Sequence, residues 1–337
     1  MKYPKFLKKE DIIGIPAPSA GARNEKKKRK FNQAVQNLQN SGYSLVLSKN
    51  LYQCEKGRSA SAKERAQEIN EMFRSEKIAA MICAAGGDFL VEILPFVDFS
   101  LLVKNPKIVA GFSDSTALLY PITSKYDIST VYGKNFSALG VEEFHQSEQD
   151  FMDILEGKKT VFESYPFYSN GDEEETEKLD NHIYNQAVYW KTMDEKEVNI
   201  TGRIIGGCLD VLSELAGTAY DGIEEFNQRY QKDGIIWYFD NCEMSMEEVI
   251  RTLWKMRELH YFDYAKGVLF GRFGTENTTY EYTVETCLKD SVLTSLNIPI
   301  IYNTDITHKD PSLPIMNGSI AKISCKDGKG KIEFHFK

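Results

Sequence analysis

Between Asp11 and Tyr132 the chain alternates two spacings of apolar residues. Short runs of β-branched and small apolar residues, DIIGIPAP, YSLVLS, KIAAMICAAGG, KIVAGF and ISTVYG, have the length of buried strands. Between them apolar positions recur every three or four residues. Phe31, Ala34, Val35 and Leu38 mark a helix over 25–41, SAKERAQEINEMFRSE reads as a second helix with serine at its start, and a shorter helical piece ends near Pro95. This strand–helix rhythm predicts an α/β domain with a doubly wound, mostly parallel sheet, whose sites lie at the carboxyl ends of the strands.

The pattern breaks between residues 140 and 200, which are acidic, aromatic and irregular, with SNGDEEETEKLDN as a loop. It resumes at ITGRIIGGCLDVLSELAGT, followed by the strand GIIWYFDN, the helix SMEEVIRTLWKMRELHYF, and KGVLFGRF and IPIIYNTDI. AKISCKDGKGKIEFHFK reads as a closing hairpin around Asp327-Gly328. The expected organisation is an N-terminal α/β domain over 1–140, a connection or insertion over 141–200, and a second, C-terminal α/β domain over 201–337.

Composition narrows the class. The 337 residues are 42% hydrophobic and 27% charged, which is ordinary for a globular chain. A net charge of −8 argues against a nucleic-acid partner. The basic run Lys26-Lys27-Lys28-Arg29-Lys30 fits the solvated start of the helix it enters. No apolar run has transmembrane length and MKYPKFLKKEDIIGIPAPS lacks a signal-peptide core, so a cytoplasmic protein without a membrane partner is expected. The six cysteines, Cys54, Cys83, Cys208, Cys242, Cys287 and Cys325, include no CxxC pair and suggest neither a zinc site nor a disulfide framework.

The candidate chemistry begins at NPKIVAGFSDSTALLYPI. Ser113 stands between a strand and a helix, where a tight turn lifts a serine hydroxyl out of a sheet. The match to GxSxG is half complete, because Ser115 occupies the place of the second glycine. A plain βα loop with a capping serine is the simpler alternative. A serine nucleophile needs a base, and of the five histidines His308 alone follows a buried-looking strand in a loop of turn residues, THKDPSLPIMNG. His145, His182, His260 and His335 fall in polar or terminal positions. A carboxylate to orient the histidine is available in IIWYFDNCEMS as Asp240 or Glu243, and Ser245 with Glu248 fits a capping box. AAGGD, residues 84–88, is a glycine turn whose amides suit an oxyanion or a phosphate, although it lacks the lysine of a Walker loop.

Together these stretches resemble the LD-carboxypeptidase serine peptidases, a family that includes the microcin C immunity proteins. The resemblance runs from about residue 10 to 325. It rests on IPAPS, AAGGDFLVEILPFVDFSLLVKNPKIVAGFSDSTAL, GRIIGGCLDVLSELAGTAYDG and DITHKDPSLPIMNGSIAKI. It implies a Ser-Glu-His triad with Ser113 as nucleophile, His308 as base and Glu243 as acid, Asp240 being the alternative acid. Backbone N–H groups of Gly87 and Asp114 would form the oxyanion hole, in a cleft between the two domains. No cofactor or metal is implied, and a homodimer is.

The implied substrate is a murein tetrapeptide that loses its terminal D-alanine, or an aminoacyl-sulfamoyl or phosphoramidate nucleotide. Trp190, Tyr184 and Tyr189 suit either base stacking or the core of a small lobe. The chain departs from the family at Asp240, where a glutamate is common, at Gly133-Lys134-Asn135 in place of Gly-Pro, and at Thr307 in place of glycine. An α/β-hydrolase esterase and a non-catalytic small-ligand-binding protein are the rival readings.

Overall fold

The computed structural model describes residues 1–171, 178–180 and 182–336, so most of the loop SNGDEEETEKLDN lies outside the described residues. The chain divides into two compact units. One comprises residues 1–159 with 178–180 and 314–316, and the other 160–171, 182–313 and 317–336. The stretch 141–200, expected as a separate connection, is therefore shared: its residues up to 159 pack with the first unit, and 160–171 and 182–200 with the second.

The first unit contains β1 (Ile12–Ile15), α1 (Glu25–Asn40), β2 (Ser44–Leu47), α2 (Ala62–Arg74), β3 (Ile78–Ile82), α3 (Phe99–Lys104), β4 (Ile108–Gly111), α4 (Thr116–Ser124), β5 (Thr130–Tyr132) and α5 (Gln146–Leu155). The second contributes β6 (Val161–Glu163), β7 (Phe167–Tyr168), β8 (Gln186–Ala187), β9 (Lys191–Thr192), β10 (Val198–Cys208), α6 (Leu209–Leu215), α7 (Ile223–Tyr230), β11 (Ile235–Asp240), α8 (Met246–Glu258), β12 (Ala265–Gly271), α9 (Val284–Asp290) and β13 (Ile300–Thr304). The chain closes with β14 (Ile315–Asn317), β15 (Ile320–Lys326) and β16 (Lys329–His335).

The first sheet has the order β14-β5-β4-β3-β1-β2, and each pairing among β1 to β5 is parallel. Every residue of β4 and β5 is buried, which is why these strands read as unbroken apolar runs rather than alternating ones. Because β3 and β4 run parallel, the glycine turn after β3 and Ser113 after β4 emerge at the same edge. The helices begin where their sequences provide caps. Asn24 accepts from the Lys27 N–H at the start of α1, and Ser61 and Glu64 form a reciprocal capping box on α2.

The second sheet is mixed, in the order β6-β16-β15-β10-β11-β12-β13-β9. β10 through β13 are parallel, while β9, β15, β16 and β6 pair antiparallel at the two sides. The 11-residue β10 serves both arrangements: Val198 to Arg203 pair with β15, and Arg203 to Cys208 with β11, so that Cys208 lies beside Asp240. The hairpin turn at Asp327 and Gly328 has φ values of 49° and 76°, the left-handed pair that two-residue hairpins favour.

Gly206 of GRIIGG is required by this close pairing. A Cβ on Gly206 would overlap the carbonyl of Tyr238 on β11. Gly206→Ala is expected to lower stability by roughly 1–3 kcal/mol, the usual cost of overpacking, measurable as a fall in the urea midpoint.

Candidate active site

One cluster of candidate residues is built at the end of β4. Phe112 continues the strand direction at φ −144° and ψ 155°. Ser113 then turns to φ 61°, and a 3-10 turn over Ser113–Ser115 leads into α4. A left-handed conformation costs a non-glycine residue about 1–2 kcal/mol, so the turn persists only because its surroundings fix it.

Two glycines let it nest. A Cβ on Gly111 would come 2.5 Å from that of Ser115, and one on Gly86 would come 3.2 Å from Ser113 Cβ and 3.4 Å from its Oγ. The Gly86-Gly87 turn therefore lies directly against the Ser113 hydroxyl. Ser115, which occupies the place of a second elbow glycine, is fully buried and donates its hydroxyl to Asn135 Oδ1 at 3.2 Å.

Asp114 ties this elbow to the neighbouring loops. Its carboxylate accepts from the Ser19 hydroxyl and from the Leu90 N–H at 3.0 Å, joining the segment after β1, the loop after β3 and the Ser113 turn. Burial pushes the Asp114 carboxyl up in pKa, and these two hydrogen bonds and the nearby Arg65 offset this only in part. Arg65, buried on α2, braces the same loops from behind. Its guanidinium donates to the carbonyls of Pro18 at 2.7 Å and Phe89 at 3.1 Å and pairs with Glu92 at 2.7 Å.

A second cluster of candidate residues lies in the other unit. Asp240, the last residue of β11, has 0% exposure, and its Oδ2 is 2.8 Å from His308 Nδ1. Its Oδ1 accepts the His308 backbone N–H at 3.1 Å, so one carboxylate fixes both ring and main chain. Burial lowers the pKa of His308, but the adjacent Asp240 carboxylate outweighs it and holds the imidazole well above its ordinary value.

The His308 loop is further anchored by a buried ion pair between Arg272 and Asp305. Asp305 also accepts from the Trp190 indole at 2.8 Å and the Tyr165 N–H at 3.2 Å. Arg272 in turn donates to the carbonyls of Lys309 at 2.9 Å and Pro311 at 3.0 Å. Thr307 stands where glycine is common and fits because its hydroxyl donates to the Arg272 carbonyl at 2.7 Å.

The structure bears on two pairs of alternatives that the sequence left open. Glu243, the first choice of acid, is exposed, and the carboxylate against His308 is that of Asp240. The physical reason is position: Asp240 ends a buried strand beside the histidine loop, whereas Glu243 lies in a turn whose three N–H groups, of residues 242–244, are held by Asp210 at 2.9, 2.9 and 3.1 Å. Trp190, considered for base stacking, is 1% exposed and committed to Asp305. Of the three aromatics only Tyr189 is exposed, while Tyr184 is half-buried with its ring 6.2 Å from that of His182.

His182, read as part of a polar connection, has its Nε2 3.9 Å from Asp310 in the His308 loop. Sequence reasoning noticed the 133–135 departure without finding its use. The structure shows the Asn135 carboxamide paired with both the N–H and the C=O of Phe112, at 3.0 and 3.1 Å.

With this geometry in place, the comparisons with known proteins fall on the same two regions. Residues 13–133 match the LD-carboxypeptidase N-terminal domain and residues 201–323 the LD-carboxypeptidase C-terminal domain. The Escherichia coli microcin C7 self-immunity protein MccF is 28% identical over 323 residues, 91% of this chain and 89% of that protein. A Bacillus subtilis protein named "Probable murein peptide carboxypeptidase" is 25% identical over 98% of this chain and 94% of its own. The solved structure of MccF in complex with aspartyl sulfamoyl adenosine superposes with a TM-score of 0.82 at 25% identity, covering 99% of this chain and 98% of that one. The chain belongs to the LD-carboxypeptidase family.

Proposed function

We propose that the protein is a serine hydrolase that cleaves an L,D-peptide bond, releasing the terminal D-alanine of a murein tetrapeptide. The observation that carries this reading is the left-handed Ser113, a strained serine against a glycine turn at the head of a helix. Strain of that kind, maintained by an overdetermined surround, marks sites of chemistry.

In this mechanism the Ser113 hydroxyl attacks the scissile carbonyl and His308 Nε2 accepts its proton. Asp240 holds the opposite ring nitrogen and stabilises the imidazolium. Backbone N–H groups of Gly87 and Asp114 receive the oxyanion. His308 then protonates the leaving amine, and water attacks the acyl-enzyme by the reverse route. The chemistry requires Ser113 Oγ and His308 Nε2 to reach hydrogen-bond distance in the substrate complex. The family membership and the relative named as a murein peptide carboxypeptidase support the substrate class.

A second substrate, an aminoacyl-sulfamoyl or phosphoramidate nucleotide, is favoured by the near full-length likeness to MccF. The same residues would cleave its acyl–nitrogen bond.

Mass spectrometry separates the readings. Wild-type protein is expected to remove one alanine from a murein tetrapeptide, and Ser113→Ala is not. Cleavage of aspartyl-sulfamoyl adenosine alone would replace the first substrate by the second, and turnover of either by Ser113→Ala would contradict the nucleophile.

The acid has its own test. His308 acts as a base only when neutral, and its pKa is raised, so kcat/KM is expected to climb with pH through a limb above the ordinary imidazole value of about 6.5. Asp240→Asn should move that limb down and cost on the order of 10⁴-fold in rate. Glu243→Gln should leave both near wild type.

A further inference from the structure

We infer that Asn135 is a positioning residue for the nucleophile, gripping with its side chain the backbone of Phe112 just beyond the end of the β4–β5 ladder. The inference rests on the reading of Ser113 as nucleophile. The β4–β5 ladder ends with Gly111 opposite Tyr132 and a last bond from the Gly133 N–H to the Gly111 carbonyl at 2.9 Å. Phe112, one residue further on, is still extended but has no place in that ladder. The Asn135 carboxamide supplies what another strand would: Oδ1 accepts from the Phe112 N–H and Nδ2 donates to the Phe112 C=O. A primary amide presents the same donor and acceptor as a peptide unit, so the residue before the turn is held from both sides.

Asn135 also sets the elbow against the glycine turn. The chain just after it is pinned to the end of β3, Phe136 N–H to the Cys83 carbonyl at 2.9 Å and Ser137 N–H to that of Ala84 at 3.0 Å. A Cβ on Gly86 would stand 3.5 Å from Asn135 Nδ2. Oδ1 takes a second hydrogen bond from Ser115, just beyond the nucleophile. One side chain thus grips both flanks of Ser113, while the main chain that follows it is pinned to the strand end that leads into Gly86-Gly87. Asn135 is 8% exposed, so water does not readily replace these bonds.

The test is inactivation by a fluorophosphonate, resolved into kinact and KI, for wild type, Asn135→Ala, the isosteric Asn135→Asp and Ser115→Ala, together with crystal structures of the Asn135 variants. Misplacing a reacting group by about 1 Å costs on the order of 100-fold. Asn135→Ala and Asn135→Asp are therefore expected to lose kinact on that scale with KI unchanged. Ser115→Ala, which removes only one hydroxyl, should lose much less. Unaltered kinact, a rise in KI alone, or loss confined to thermal stability would overturn the inference. Failure of the wild type to label at Ser113 would refute the nucleophile reading instead. The crystal structures would then decide the positioning: a Ser113 relaxed to negative φ upholds it, and one still near 61° refutes it.

Discussion

The left-handed turn at Ser113 is the constraint on which the first unit's candidate site depends. A strand ending in Gly111 delivers the chain to it and α4 carries the chain away. Neither element by itself would keep a serine in this conformation, because the penalty of about 1–2 kcal/mol favours relaxation. What prevents relaxation is the combined grip of Asn135 on Phe112, of Asp114 on Ser19 and Leu90, and of Gly86 packed against the serine itself. Stability contributed by ordinary hydrogen bonds is thereby committed to one unfavourable backbone angle.

Buried aspartates do similar work elsewhere. Asp114, Asp240 and Asp305 each have little or no exposure, and each accepts hydrogen bonds from the main chain of a distant loop. A carboxylate at the end of a strand offers several acceptor sites, enough to hold a loop's N–H groups and a cationic or imidazole partner together. Asp240 holds the His308 backbone and ring, and Asp305 holds Tyr165, Trp190 and Arg272. The loop that presents the histidine is fixed from both of these carboxylates.

The elements were legible in the sequence because their signals are local. Strand-length apolar runs, the Ser61 and Ser245 capping boxes and the Asp327-Gly328 turn depend on residues within a few positions of one another. Ser113 and His308 stood out as candidates for the same reason, each at a strand's end among turn formers. The choice of acid was not legible. Asp240 and Glu243 are three residues apart after one strand, and only the fold shows that the first faces the histidine loop while the second is exposed. Trp190 was ambiguous because its partner Asp305 is 115 residues away. The pairing of Asn135 with Phe112 spans 23 residues and leaves no periodic trace.

Unfolding free energies of Ser113→Gly and Ser113→Ala, measured side by side in urea with turnover assayed on each, test the central claim most directly. Glycine relieves the left-handed strain and alanine retains it. The account predicts that Ser113→Gly is more stable than Ser113→Ala by about 1 kcal/mol and that both are inactive. Equal stabilities, an order reversed in favour of alanine, or turnover surviving in either variant would contradict it.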